Sequence, residues 1–239
     1  MIALLAAALL AAGAATGPVI APSTSPATPA PLLAPAAVLA KYKSALTALK
    51  EPRDFVFEYT LQQTGTRTLE QTHRVFRSGK DERDETTSVN GTHSIAPVVR
   101  IFHNRPYRYN VTALAPQPAV YDFAYAGPHR DGKHLDYVFA VTPKQPKPGI
   151  TFIQVTIDGT TFLPQSVGFA ADQHAARGSV TFSKAGRYWV ARSAIAQANV
   201  PGGVAHERLA FSAWRFPKGL PRSTFAMPRP LPTLRPTLP

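Results

Sequence analysis

Residues 36–64 read AAVLAKYKSALTALKEPRDFVFEYTLQQT. Two periods meet in this stretch. Leu39, Tyr42, Leu46 and Leu49 recur at spacings of three and four, which puts them on one stripe of a helix over 36–50. Pro52 ends that helix, because proline has no N–H to continue the ladder. Beyond it the period becomes two. Phe55, Phe57, Tyr59 and Leu61 alternate with Val56, Glu58 and Thr60, the pattern of a half-buried strand. One helix followed by a strand, with no later return to the helical period, sets the fold class.

Downstream, short alternating runs are separated by turn residues. Thr64-Gly65 leads to a more polar strand over 67–77, and 81–89 forms a polar strand or loop closed by Asn90-Gly91, a hairpin signal. Val98–Phe102 and Tyr107–Leu114 flank His103-Asn104-Arg105-Pro106 and are expected as strands. Val120–Tyr125, Leu135–Val141, Ile153–Ile157, Gln165–Phe169, Gly178–Ser183, Tyr188–Ala198 and Val204–Phe216 continue the series. About ten such strands in one flat sheet would expose too much edge and too much of one face. The expected fold is therefore α+β and mainly β: a strongly curved antiparallel sheet, a half-barrel, with the N-terminal helix on its concave face.

The ends of the 239-residue chain differ from this body. Residues 2–15 are an apolar run of signal-peptide length, too short for a membrane span, and small residues follow. Residues 1–21 are expected as a signal peptide and 22–36 as a Pro/Ala-rich linker. Residues 37–216 form the domain, and 217–239 a basic, Pro-rich tail. Thirteen of the 24 prolines lie in 18–36 and 217–239, so the body has ordinary proline content. The net charge of +12 is equally uneven, with +9 of it after residue 173. A chain with no cysteine cannot form disulfides, thiolate metal sites or a lipid-bearing Cys. The expectation is an exported, soluble protein, periplasmic or otherwise outside the cytoplasm. Its basic finish faces anionic envelope components rather than nucleic acid.

Chemistry-bearing motifs are sparse. The seven histidines make no HxH, HxxxH or HExxH pair. His129 and His134 flank Asp131 beside Gly127-Pro128 and Gly132, which reads as a hairpin tip rather than a metal site. His206 and Glu207 are strand neighbours that point to opposite faces. Asp81, Glu82, Asp84 and Glu85 form the densest acidic group. On a strand, Glu82 and Asp84 share one face and Asp81, Arg83 and Glu85 the other, and the group reads as a solvated polar edge. No GxSxG, P-loop or GxGxxG occurs. The expectation is a non-enzyme without catalytic or metal-binding residues.

The order of these features resembles the LolA/LolB-like superfamily of periplasmic lipoprotein-sorting and related carrier proteins. The resemblance runs from the LxxYxxxLxxL-type helix and the Asp54–Thr64 strand through Arg74-Val75-Phe76-Arg77-Ser78-Gly79-Lys80-Asp81-Glu82-Arg83. It continues through Asp131-Gly132-Lys133, Tyr137–Lys144, Val155–Pro164 and Gly178–Phe182, covering about residues 37–225. It implies a half-barrel whose apolar concave face holds acyl chains, with no metal or cofactor. The family's further lid helices have no convincing counterpart, residues 112–119 and 169–177 being the only short candidates. On this reading Phe55, Phe57, Tyr59, Leu61, Tyr137, Phe139, Val155, Ile157, Tyr188 and Val190 share strand phases that could line a lipid site. The same residues could equally make an ordinary closed core. The expected partner is an acylated lipid or lipoprotein, carried by a monomer. The alternative is a non-enzymatic envelope interaction or sensor module that binds anionic partners through its basic C-terminal face.

Overall fold

A computed structural model describes residues 32–105, 109–132, 134–145, 148–171 and 175–227. The expected signal peptide, most of the linker and the last part of the tail lie outside these residues. The domain opens with helix α1 (Pro35–Ala48). Four strands follow: β1 (Asp54–Thr64), β2 (Leu69–Ser78), β3 (Asp81–Val89) and β4 (Thr92–Phe102). A short helix α2 (Val111–Leu114) precedes β5 (Tyr121–Asp131), β6 (His134–Pro143), β7 (Thr151–Asp158) and β8 (Pro164–Ala171). Then come β9 (Ala176–Ala185), β10 (Tyr188–Val200), β11 (Gly203–Arg215) and a 3-10 turn over Arg222–Phe225.

All eleven strands form one antiparallel sheet in the order β4-β3-β2-β1-β11-β10-β9-β8-β7-β6-β5. It is two meanders joined where β1 pairs with β11. Its edges, β4 and β5, do not pair with each other, so the sheet curls without closing. Irregular registers on several ladders, such as Val56/Glu58 against β11 and Tyr125/Gly127 against β6, add the local twist that bends a sheet. The Asn90-Gly91 signal is met: both residues have positive φ, 49° and 77°, between the Val89 and Thr92 pair.

This topology leaves one long connection. Every other link between consecutive strands is a hairpin, whereas β4 and β5 lie on opposite edges. The chain between them must cross the sheet, and Val111 and Ala115 place its described part in the hollow. The expected strand over 107–114 is corrected here: its described part is a loop at Tyr109 and Asn110 followed by α2. The cause is local. Glu51, just after α1, accepts hydrogen bonds from the Thr112 backbone N–H and from the Thr112 hydroxyl and Asn110 amide, and this folds the segment into a turn. Val111 and Ala115 then bury completely or nearly so in the main apolar cluster.

The hollow is filled by α1 and this crossing. Val38, Tyr42 and Leu46 of α1 pack in one cluster with residues from β1 and β6 through β11. The Tyr42 hydroxyl, whose pKa burial pushes upward, donates to the Pro116 carbonyl at 3.0 Å and ties helix to crossing. The start of the expected tail also has a place. Residues 217–227 return to the sheet, and Arg83 of β3 donates to the carbonyls of Thr224 and Ala226. Among the described residues no helix is long and apolar enough to cross a membrane.

Candidate functional site

The concave face is built by strand alternation. Leu61, Tyr137, Phe139, Val155 and Ile157 are buried in the main cluster against α1. Phe55, Phe57 and Val75 form a second cluster, joined by Tyr109, Phe211, Trp214 and Phe216. Tyr59 packs against both. The register explains the grouping: Tyr59 and Leu61 lie opposite Phe211 and Leu209, so β1 and β11 present one apolar row. Eight of the ten residues expected from the sequence therefore share this face.

Tyr188 and Val190 take the other phase of β10. Trp189 and Ala191 contribute to the main cluster instead. The two-residue turn Gly186-Arg187 sets this, because it pairs Tyr188 with Ala185 and Ala191 with the core residue Phe182. Ala191 and Ala194 both face the cluster although three apart, so an extra residue lies between them. Val190 is buried outside both clusters, and Tyr188 packs on Phe216 as a tilted ring pair with centroids 4.5 Å apart.

The same face carries a buried polar network where a solvated edge is expected from the sequence. The alternation itself was right, since Glu82, Asp84, Thr86 and Ser88 of β3 all point one way and are buried. They form no solvated edge. His73 Nδ1 lies 2.8 Å from Asp84 Oδ1, and the imidazole stacks on Tyr59 with centroids 4.5 Å apart. Arg77 donates to Glu82 at 2.6 Å, both side chains being wholly buried, and Arg105 donates to the other Glu82 oxygen at 2.7 Å. Arg77 also donates to the Arg105 carbonyl at 2.6 Å. The crossing segment thus supplies the cover for these charges. A pattern of acids alternating toward an aromatic strand carried this signal, but only the long connection made it a buried one.

Surface clefts lie away from this lining. One, of about 500 Å³, lies between Val56, Arg74 and Phe76 on one side and Arg215, Phe216, Pro217 and Leu220 on the other. The second, of about 380 Å³, lies at one end of the sheet among the β5–β6, β7–β8 and β9–β10 hairpins. Neither is lined by the eight concave residues. Among the described residues no group of three or more His, Asp or Glu side chains is arranged to hold a metal ion.

No protein-family model matches the chain. No curated protein matches it either. Solved structures do. A LolA superfamily protein of Nitrosomonas europaea superposes with a TM-score of 0.47 at 11% identity, over 82% of this chain and 99% of that one. A DUF1329 family protein of Desulfovibrio piger gives 0.47 at 12% identity, over 79% and 97%. A domain of Vibrio parahaemolyticus assigned to outer membrane lipoprotein sorting gives 0.45 at 15%, over 78% and 95%. The resemblance expected from the sequence is met as a likeness in the course of the chain at low identity.

Proposed function

We propose that the protein is an exported, non-enzymatic binder and carrier of acylated molecules, and that acyl chains lie against the concave sheet face. What supports this reading is how that face is covered. A single helix and one crossing segment lie on a broad apolar lining, and their contacts to it are chiefly apolar. Such contacts have no direction, so an acyl chain can replace α1 or the crossing over the same surface. Each methylene transferred from water contributes about 0.8 kcal/mol, so one chain offsets the loss of several such side-chain contacts. One polar group fits the same picture. The Trp214 indole N–H is buried among Phe55, Phe57 and Phe216 without an acceptor among the described residues. The ester or amide carbonyl of an acylated ligand would supply one, and an unmet buried donor costs about 1–3 kcal/mol.

The test is a titration of the full chain with a dansyl-labelled fatty acid. Saturable binding, competed by unlabelled palmitate and weakened several-fold in Trp214→Phe, is the expected result. The exposed Arg177, Arg192 and Arg208 on β9 to β11, with Arg187 in the turn between β9 and β10, favour the second reading, an interaction module for anionic envelope components. Salt-sensitive retention on anionic vesicles with no uptake of the dansyl probe would select that reading instead.

A further inference from the structure

The cleft at the end of the sheet is built from strand termini. His129 and Asp131 come from β5, His134 and Asp136 from β6, Asp158 from β7 and Lys184 from β9. Gln165 and Trp189 complete the polar part of its wall. The ladders bring the acids together: His129 lies opposite Asp136, which lies opposite Asp158 on the next strand. Neighbours of this kind stand on one side of a sheet with their side chains in reach of each other. Asp136 is only 2% exposed, and its Oδ1 meets no hydrogen-bond donor among the described residues. Burial first, and then the Asp158 carboxylate, push its pKa upward. The Asp158 Oδ1 is already engaged, accepting from the Thr160 and Thr161 backbone N–H groups and the Thr161 hydroxyl.

A buried carboxyl oxygen in the wall of a cleft, without a donor, is costly unless a donor arrives from outside. Three carboxylates against one ammonium make this cleft locally acidic on a chain of net charge +12. A bare metal ion does not suit it. Metal ligands must converge to about 2.0–2.6 Å from one point, and no such group forms among the described residues. The cleft is also wide, about 380 Å³, and has an aromatic wall. Trp189 is held there by its indole N–H, which donates to the Pro164 carbonyl at 3.0 Å. A carboxylate beside an indole is a setting for an organic cation, which gains both charge pairing and attraction to the ring.

We propose that this cleft binds an organic cation, a primary ammonium or guanidinium group, which donates to Asp136 and packs on Trp189. The cation can come from a free amine or from a Lys or Arg side chain of a peptide. Binding falls with acidity, because each group facing Asp136 acts in the same direction. Protonation removes negative charge at Asp136, Asp131 and Asp158 and adds positive charge at His129 and His134, and the Lys184 ammonium lines the same wall.

The chain holds two tryptophans, so the two indole N–H resonances give a direct readout. Butylammonium chloride is expected to shift the Trp189 signal and leave that of Trp214 in place. The response weakens at least tenfold in Asp136→Asn and on lowering the pH through the raised Asp136 value. Ac-Ala-Lys-Ala-NH2 binding more tightly than butylammonium marks a peptide side chain as the source, and the reverse order marks a free amine. Equal response to butanol, undiminished binding in Asp136→Asn, or an Asp136-dependent response to calcium or zinc ions without one to amines would overturn the proposal. A second measurement needs no ligand. An acid with a raised folded-state pKa makes the fold lose stability as pH rises from the ordinary carboxylate value to the raised one. Asp136→Asn removes that loss, so its melting temperature should exceed the parent's at neutral pH, and the gap should close in acid. Absence of a gap would show that Asp136 carries no unmet charge in the cleft.

Discussion

Glu82→Leu is expected to lower the stability of the folded chain by about 3–5 kcal/mol. The reason is geometric. Glu82 is the common acceptor for Arg77 and Arg105, and neither it nor Arg77 reaches water. Removing the acid leaves the Arg77 guanidinium buried beside another cation, donating to the neutral Gly79 and Arg105 carbonyls but without its carboxylate. An uncompensated buried charge is far more costly than a missing ion pair. The double variant Arg77→Met/Glu82→Leu should therefore recover much of the loss, since Arg105 is partly exposed and can turn to solvent. Urea midpoints of the parent, both single variants and the double variant check this. A Glu82→Leu variant within about 1 kcal/mol of the parent would place the pair with ordinary surface ion pairs and contradict the burial described here.

Gly178→Ala is expected to cost about 3 kcal/mol, at the upper end of overpacking effects. Gly178 sits on β9 opposite Phe169 of β8. A Cβ there would lie 2.3 Å from the Ile195 carbonyl oxygen, 2.7 Å from the Phe169 ring and 2.9 Å from the Ala196 Cα. Two of these three are backbone atoms in the neighbouring strand, so the sheet itself would have to open. Gly186 is the comparison. It has φ of 56° with nothing within 4 Å of its virtual Cβ. Gly186→Ala should thus cost only the backbone term, about 1–2 kcal/mol. Chemical denaturation of the two variants separates a packing clash from a conformational cost, and equal losses would contradict the tight approach of β9 to β10.

Where the chain obeys one period over a long run, its sequence carries the fold. The α1 stripe was legible from Tyr42 and Leu46, and both are buried. The phase of β1 was legible from Phe55, Phe57 and Leu61 for the same reason. Legibility failed where non-local contacts set the outcome. The 107–114 stretch has strand-like residues, yet Glu51, dozens of positions away, folds its described part into a turn. The phase of Tyr188 and Val190 depends on one tight turn and one extra residue, and a one-residue slip moves a whole strand face. The acids of β3 looked solvated because polarity was visible and their cover was not. Asp136 was hidden for a related reason: its environment comes from three hairpins that only the sheet brings together.

The concave face is apolar and covered by exchangeable contacts, whereas the cleft among the hairpins is acidic and open to solvent. The charge pairs of β2 and β3 hold the crossing segment at Arg105, while Tyr109, Val111 and Ala115 rest on the sheet through apolar contacts. On the proposed reading, the part of the crossing from Tyr109 to Ala115 is the element expected to move when acyl chains enter.

Native mass spectrometry of the protein isolated under gentle conditions from a bacterial envelope extract tests the central claim most directly. The account predicts a population heavier than the bare chain by the mass of acylated lipid, which organic extraction removes and added lipid restores. A single species at the mass of the bare chain, unchanged after incubation with that lipid, would contradict it.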